Sequence, residues 1–301
     1  MFIFSIATAY HDFAGKLAKQ AHLKVGRVEF KKFSDGEIYV RVGESVAQKK
    51  VYVVGTTAPP ADNLIEMLLL VDALKTAKAL HITAIIPYFG YGRADHLVES
   101  GEALSAKLMA NLLHCAGVRR VVAIDLHSPR VEKFFTMPLV HVRAQELLAR
   151  TIKAELFNDQ SSALTIVAPD HGAIPLAKRM GRLLRARVAW FEKIRPQHNV
   201  AQLGALHGDV AGKIAVLVDD MIDTAGTIAE AANQLKQHGA KKIIVAVTHG
   251  VLSGPALERL KQTPIDKVII TDTLPNVSQK KFNKLRVVSV IPLLAEKFRR
   301  I

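Results

Sequence analysis

The stretch Lys213-Ile214-Ala215-Val216-Leu217-Val218-Asp219-Asp220-Met221-Ile222-Asp223-Thr224-Ala225-Gly226-Thr227-Ile228 decides the fold. An apolar run free of turn residues ends at two adjacent carboxylates, and an Ala-rich helical pattern follows over 228–238. Such a run reads as a buried strand of a parallel sheet. It delivers Asp219 and Asp220 to the C-terminal edge, where open α/β sheets bind ligands. Thr224, Ala225, Gly226 and Thr227 then stand at a helix N-terminus, whose unpaired backbone N–H groups favour a phosphate. The carboxylates would repel that phosphate if they touched it. They suit what lies beside it: sugar hydroxyls, which donate to carboxylates, or a divalent cation. A pentose 5-phosphate meets both needs. An ordinary helix cap explains one Asp and one Thr, but leaves the second Asp, Asp223 and the other Thr without a task.

Working outward, 301 residues suffice for two domains of ordinary size, and half of the residues are apolar. The single cysteine, Cys115, excludes an internal disulfide; its apolar helical setting predicts a buried thiol and a reducing compartment. Met1-Phe-Ile-Phe-Ser-Ile-Ala7-Thr-Ala9 has no basic leader and too short an apolar run for a signal peptide, so it reads as the first strand. No run is long enough to span a membrane, and a cytoplasmic protein is expected. The net charge of +14 attracts polyanions generally. Its basic residues are scattered, however, and aromatic residues are 6% of the chain, so no groove of basic and stacking residues for nucleic acid is visible. Small phosphorylated substrates fit better.

Short β-branched runs alternate with longer helical patterns. Residues 2–7, 51–55, 83–88, 120–126, 164–168, 188–191, 214–218, 243–247 and 268–270 read as strands; 63–79, 102–116, 144–156, 174–184 and 228–238 read as helices. This alternation predicts an α/β protein with parallel sheets. Residues 28–33 and 37–42 around Asp35-Gly36 predict a hairpin. The chain also echoes itself: 82–87 and 164–169 are strands running into Pro, and 121–125 and 214–219 are strands ending in Asp. The echo predicts two similar halves, 1–142 and 143–301, with Asn158-Asp159-Gln160-Ser161-Ser162 as the most loop-like stretch near the join. A Walker A pattern is absent. Gly90-Tyr-Gly92-Arg-Ala-Asp95 lacks the third glycine of a dinucleotide fingerprint, which argues against a Rossmann cofactor.

Four further segments fall at expected sheet edges. Phe33-Ser34-Asp35-Gly36-Glu37 sets an aromatic ring beside two carboxylates, though an ordinary hairpin turn explains it equally well. Pro87-Tyr-Phe-Gly90-Tyr-Gly92-Arg93-Ala94-Asp95-His96 has glycines that permit close backbone approach and an Arg able to stack on a purine or bind phosphate. Asp125-Leu126-His127-Ser128 ends a strand with an Asp and a His able to hold or orient a metal. Ala168-Pro169-Asp170-His171-Gly172-Ala173 opens a helix, where N–H groups can cradle a second phosphate and Asp170 can meet a cation or a hydroxyl. Singly each is weak; their order and spacing are specific.

The Asp219–Thr227 segment resembles the PRPP motif shared by phosphoribosyltransferases and ribose-phosphate pyrophosphokinases. With the other segments, the chain resembles the ribose-phosphate pyrophosphokinase (PRPP synthetase) family from end to end. The resemblance implies two similar phosphoribosyltransferase-type domains, each a mostly parallel sheet flanked by helices. It implies transfer of a diphosphoryl group from Mg-ATP to the C1 hydroxyl of ribose 5-phosphate, giving PRPP and AMP. Under it, Asp219 and Asp220 hold the ribose hydroxyls, and Thr224, Ala225, Gly226 and Thr227 the 5-phosphate, with Asp223 at the start of that ribose 5-phosphate loop. His127 and Asp170 serve Mg²⁺. Arg93, Ala94, Asp95 and His96 bind ATP, together with Phe33, Asp35, Gly36 and Glu37 from a neighbouring subunit, which implies a homo-oligomer. Lys193 and Arg195 are the catalytic basic pair at the root of a mobile loop, residues 196–212.

Departures from the family pattern are visible too. Ala94 replaces a Gln, Ile194 replaces a basic residue, and basic residues are missing after Arg93. The regulated members carry an Arg where this chain has Ala47 and another at Gly101, so no allosteric activation by phosphate is expected. A PRPP-consuming phosphoribosyltransferase and a non-catalytic regulatory homologue are the alternatives.

Overall fold

A computed structural model describes residues 1–6, 10–157, 163–197, 200–280 and 282–298; the side chains of 193–202, 276 and 278 also lie outside the description. Ala7 and the Asn158–Ser162 stretch are therefore outside the described residues. The chain divides into two compact units, Met1–Arg143 with Ile291–Ile301, and Ala144–Val290.

The first unit contains β1 (Phe2–Ser5), α1 (His11–Ala21), β2 (Lys24–Val25), β3 (Val28–Lys32), β4 (Ile38–Val42), β5 (Lys50–Val54), α2 (Ala61–Thr76), β6 (His81–Ile86), α3 (Ser105–Ala116), β7 (Arg120–Ile124), α4 (Pro129–Glu132) and β8 (Leu139–Val142). Its sheet has the order β2-β1-β5-β6-β7-β8, with every pair parallel. β3 and β4 form the expected hairpin as a separate antiparallel ribbon. The second unit contains α5 (Gln145–Glu155), β9 (Leu164–Ala168), α6 (Ile174–Leu184), β10 (Arg187–Gln197), β11 (Val200–His207), β12 (Ile214–Ile222), α7 (Gly226–Gln237), β13 (Lys242–Gly250), α8 (Ala256–Gln262), β14 (Lys267–Thr271) and β15 (Leu285–Val288). Its sheet order is β11-β10-β9-β12-β13-β14-β15, parallel throughout except for the β10–β11 ribbon.

The pleat of β12 explains why its sequence is apolar without alternation. Ile214, Val216 and Val218 belong to the core shared with α5 and α6, while Ala215 and Leu217 belong to the core shared with α7 and α8. A strand covered on both faces has no solvent side, so the polar residues collect where cover ends.

Corresponding strands of the two units follow from the sheet orders. β2-β1-β5-β6-β7-β8 matches β10-β9-β12-β13-β14-β15, with α1, α2 and α3 in the places of α6, α7 and α8. The sequence echo paired β6 with β9 and β7 with β12, so it joined the wrong strands although the two units are alike. The last helix, α9 (Ile291–Phe298), packs on α1 as α5 packs on α6. Phe298 meets Tyr52 edge-on, with ring centroids 4.7 Å apart. This contact explains why α9 clusters with the first unit and not with the rest of residues 143–301.

Two other expectations change. Cys115 is exposed, because α3 turns Leu113 inward and a residue two places on points away. The described residues of 196–212 do not all form an open loop: Val200–His207 make up β11, which pairs antiparallel with β10. α7 supports that ribbon, with Glu230 Oε1 accepting from the Leu203 N–H at 3.1 Å. At its base Trp190 stacks on His207 with centroids 5.3 Å apart, and His207 Nε2 lies 2.6 Å from Glu192 Oε1. Among the described residues no helix is long and apolar enough to cross a membrane.

Glu155, at the end of α5, ties that helix to the sheet edge through Arg286 of β15 and Lys267 of β14, the latter at 3.7 Å. Arg286 chiefly holds its carboxyl below the ordinary value, with Lys267 and Lys242 assisting against the effect of burial. A lowered carboxyl stabilises the fold above the unfolded value of 4.5, and the contribution fades as pH falls through the folded one. Glu155→Gln should therefore cost about 0.5–1 kcal/mol at pH 7 in denaturant unfolding, since the pair is partly solvent-screened. The gap from wild type should close below pH 4.5. A gap that widens on acidification would contradict the assignment.

Candidate active site

The C-terminal edge of the second sheet gathers the acidic residues. Asp219 and Asp220 lie inside β12, which runs on to Ile222 instead of stopping at Val218. Both are half-buried. The Asp220 N–H donates to Asp219 Oδ1 at 2.8 Å. Burial pushes the Asp219 carboxyl well above the usual range, and the neighbouring charges of Asp220 and then Asp170 push it further. Asp170 follows β9, the strand paired with β12. It caps the short 3₁₀ turn His171–Ala173, accepting from the Ala173 N–H at 3.2 Å. Asp170, Asp219 and Asp220 thus form one electrostatic group.

The turn between β12 and α7 is built for an anion. Gly226 and Thr227 already belong to α7, so the free amides at 226–228 are the first turn of a helix. Ala225 adopts the left-handed conformation at φ 61° ψ 13°, and no side chain caps the helix. Thr224, Gly226 and Thr227 are exposed while Ala225 is buried, which leaves the turn open on one side and anchored on the other. Asp223 is tied to the segment after β13: Ser253 Oγ donates to Asp223 Oδ1, and the Ser253 N–H donates to the Asp223 carbonyl at 3.1 Å. The same segment after β13 is held from below by Lys280, whose Nζ donates to the carbonyls of Val251 and Leu252. Burial lowers the Lys280 ammonium, and Asp223 partly opposes that shift. Arg259 of α8 closes the other side, Nη1 donating to the Thr224 carbonyl at 3.0 Å.

In the first unit the corresponding place after β5 is filled by the chain itself. Thr56 and Thr57 donate their hydroxyls to the carbonyls of Tyr88 and Gly90, at 2.7 and 3.0 Å. A Cβ on Gly90 would lie 2.4 Å from Ala58 Cα, so only glycine allows this approach. The strand ends Val54-Gly55-Thr56, without a carboxylate. An open anion turn beside an acidic pair therefore belongs to the second unit.

The first unit instead assembles the segment after β6 with the one after β7. Asp95 is 6% exposed and accepts from Ser128 Oγ, with His96 Nδ1 at 2.5 Å. Burial alone would raise its carboxyl; Ser128, His96 and the nearby His127 outweigh that and hold it below the ordinary value. Gly92 packs toward His127, whose Cβ lies 3.7 Å from a Cβ built on Gly92. Asp95, His96 and His127 are thus neighbours, with exposed Arg93 and half-buried Ala94 beside them. The hairpin tip stands apart on its own ribbon, packed by β4 on α2. Asp35 Oδ1 accepts from the Glu37 N–H at 3.0 Å, Gly36 takes φ 95°, and Phe33 is 58% exposed. Lys193 and Arg195 lie on β10, directly after the segment paired with β9; their side chains are outside the described residues.

Sequence reasoning missed the supports. His141 is one: its Nε2 accepts from the Leu126 N–H at 3.0 Å and its Nδ1 faces Glu132 at 2.7 Å, fixing the turn that carries His127. Ser253, Arg259 and Lys280 are others. Following the strand at 243–247 to its C-terminal edge would have pointed to Ser253, because every loop on that edge borders the same opening.

Among the described residues, no cluster of three or more His, Cys, Asp or Glu side chains is arranged to hold a metal ion. The chemistry of Asp170 nonetheless suits a hard cation that keeps most of its waters, since a carboxylate is such a cation's preferred ligand and the nearby charge of the Asp219–Asp220 pair favours a positive guest.

The chain as a whole is similar to known proteins. Residues 1–117 match the N-terminal domain of ribose phosphate pyrophosphokinase, and residues 192–301 match the phosphoribosyl synthetase-associated domain. The chain is 45% identical over 289 residues to the ribose-phosphate pyrophosphokinase of Caldanaerobacter subterraneus subsp. tengcongensis, covering 96% of this chain and 90% of that one. It is 41% identical over 291 residues to that of Fusobacterium nucleatum subsp. nucleatum, covering 96% and 92%. The crystal structure of phosphoribosylpyrophosphate synthetase from Mycobacterium smegmatis is similar with a TM-score of 0.90 at 38% identity, over 99% of this chain and 97% of that one. With likeness of this extent and grade, this chain belongs to the ribose-phosphate pyrophosphokinase family.

Proposed function

We propose that this chain is a ribose-phosphate diphosphokinase. It transfers the β,γ-diphosphoryl group of Mg-ATP to the C1 hydroxyl of ribose 5-phosphate, giving PRPP and AMP. The observation that carries the reading is the likeness over 96% of the chain, through both units. A transferase that consumes PRPP needs only one such unit. In the reaction the C1 oxygen bonds to the β-phosphorus. The bond from that phosphorus to the oxygen bridging the α-phosphorus breaks, AMP leaves with the bridging oxygen, and the hydroxyl proton passes to solvent.

Each residue then has a task. Asp219 and Asp220 accept hydrogen bonds from the ribose hydroxyls, and a sugar diol relieves a crowded carboxylate pair by donating to it. The amides of Thr224, Ala225, Gly226 and Thr227 hold the 5-phosphate, where the helix dipole also favours negative charge. Asp223, turned to Ser253, frames that loop. Lys193 and Arg195 neutralise charge on the transferring and leaving oxygens. Arg93, Ala94, Asp95 and His96 bind ATP. The exposed Phe33, Asp35, Gly36 and Glu37 serve the adenine site of a neighbouring copy, so the active form is a homo-oligomer. In the second unit Asp170, and in the first unit His127, would each serve Mg²⁺. When bound, Mg²⁺ offsets the charge of the diphosphate. The setting is cytoplasmic, with no specific nucleic-acid or membrane partner.

Incubated with ribose 5-phosphate and Mg-ATP, the purified chain should release AMP in step with sugar consumed. Release of ADP, or no AMP at all, would remove the proposed reaction. Lys193→Ala should lower kcat by about 10²–10³-fold, equivalent to roughly 2.7–4 kcal/mol. A loss under about tenfold with the fold intact would take Lys193 out of the chemistry. Asp220→Asn should lower kcat/KM for ribose 5-phosphate by about thirtyfold, the worth of hydrogen bonds to a charged group, while KM for ATP moves little. Rates measured against inorganic phosphate should show no sigmoidal activation; a sigmoid would contradict the expected lack of allosteric control.

A further inference from the structure

Arg259 lies in α8, well away in sequence from the turn it touches. It is exposed, and among the described residues the one hydrogen-bond acceptor of its side chain is the Thr224 carbonyl at 3.0 Å. The acidic residue next to it does not neutralise it, because Glu258 pairs with Lys261 at 2.7 Å. Its Nη1 would also stand 3.6 Å from a Cβ on Gly226, so the guanidinium spans the start of α7.

We infer that Arg259 is a positioning residue for the sugar-phosphate turn, one that sets affinity for the phosphorylated end of the sugar. The inference rests on reading that turn as the ribose 5-phosphate cradle. A trans peptide is planar, with its C=O and N–H pointing in opposite directions. Holding the Thr224 carbonyl toward Arg259 therefore aims the Ala225 N–H to the other side of the same peptide plane. Ala225 is at φ 61°, a region unfavourable for a residue with a Cβ. Without an outside tether, the Thr224–Ala225 peptide can turn over and relax Ala225, removing one donor from the phosphate. Arg259 supplies that tether while leaving its other N–H groups and its charge at the rim of the cradle.

The same segment shows why the tether comes from α8. Leu252 and Ser253 donate their N–H groups to the carbonyls of Ile222 and Asp223, at 3.0 and 3.1 Å. These bonds fix the chain as far as Asp223. The next carbonyl, at Thr224, is the one Arg259 takes.

The test compares Arg259→Ala, Arg259→Lys and Glu258→Gln with wild type. Steady-state rates are measured with ribose 5-phosphate and ATP varied separately, together with thermal melting and calorimetric titration of ribose 5-phosphate alone. In Arg259→Ala, KM and Kd for ribose 5-phosphate should rise about tenfold, the loss expected for one charge-assisted hydrogen bond. KM for ATP, kcat and the melting temperature should stay near wild type. Arg259→Lys should recover most of the affinity, since an ammonium can still donate to one carbonyl, and Glu258→Gln should behave as wild type. An unchanged KM and Kd for the sugar in Arg259→Ala overturns the inference. So does a joint rise in both substrates' KM with a fallen melting temperature, which marks a general structural role. If wild type binds the sugar but releases no AMP, the proposed reaction fails while the Kd comparison still decides the role of Arg259. If wild type does not bind the sugar, both readings fail.

Discussion

Like charges held together at the end of a buried strand are the constraint on which this molecule turns. Asp219 and Asp220 are consecutive, half-buried, and share their surroundings with Asp170. Such a group costs free energy in the empty protein, since burial and repulsion both disfavour the charged form. The strand that carries the pair is otherwise wholly apolar: β12 has no polar residue up to Val218 and is covered on both faces. An arrangement unfavourable for folding is sustained where a guest relieves it. Hydroxyl donors and a cation relieve a carboxylate cluster, and the adjoining amides accept the anionic end of the same guest.

The scaffold makes that asymmetry between two otherwise similar units. Both place a parallel strand, a turn and a helix at the same point of the same sheet order. In the first unit Gly90 packs its backbone on Ala58, and the threonine hydroxyls are spent on Tyr88 and Gly90. That fills the turn and leaves the unit's polar chemistry to Asp95, His96, His127 and Ser128. In the second unit the turn stays open, and its supports approach from outside: Ser253 and Lys280 from below, Arg259 from α8. A duplicated frame thus carries two different sites, because one turn is packed shut and the other is braced open.

How much of this the sequence disclosed depends on the range of each interaction. β12 and the helix after it are legible because their signal is local: an unbroken apolar run, an acidic stop and a small-residue turn. α1 is harder to see, since Gly15 and the Lys and His residues dilute a buried stripe of only Phe13, Ala14, Leu17 and Ala18. β15 is four residues of mixed character and is identified only by its pairing with β14. Cys115 misled because the apolar content of α3 is not confined to one face near its end. Among site residues, the motif positions could be read directly. Arg259 could not, because 35 positions separate it from the carbonyl it holds. The β10–β11 ribbon was hidden for another reason: its glycine and polar residues look like a loop until a partner strand and Glu230 of α7 are in place.

The most direct measurement is a crystal structure of this chain grown with ribose 5-phosphate. The phosphate should sit on the amides of Thr224 to Thr227, with the vicinal ring hydroxyls against Asp219 and Asp220 and the C1 hydroxyl left free. A sugar phosphate bound elsewhere, or these amides turned inward with the acidic pair untouched, would contradict the central claim.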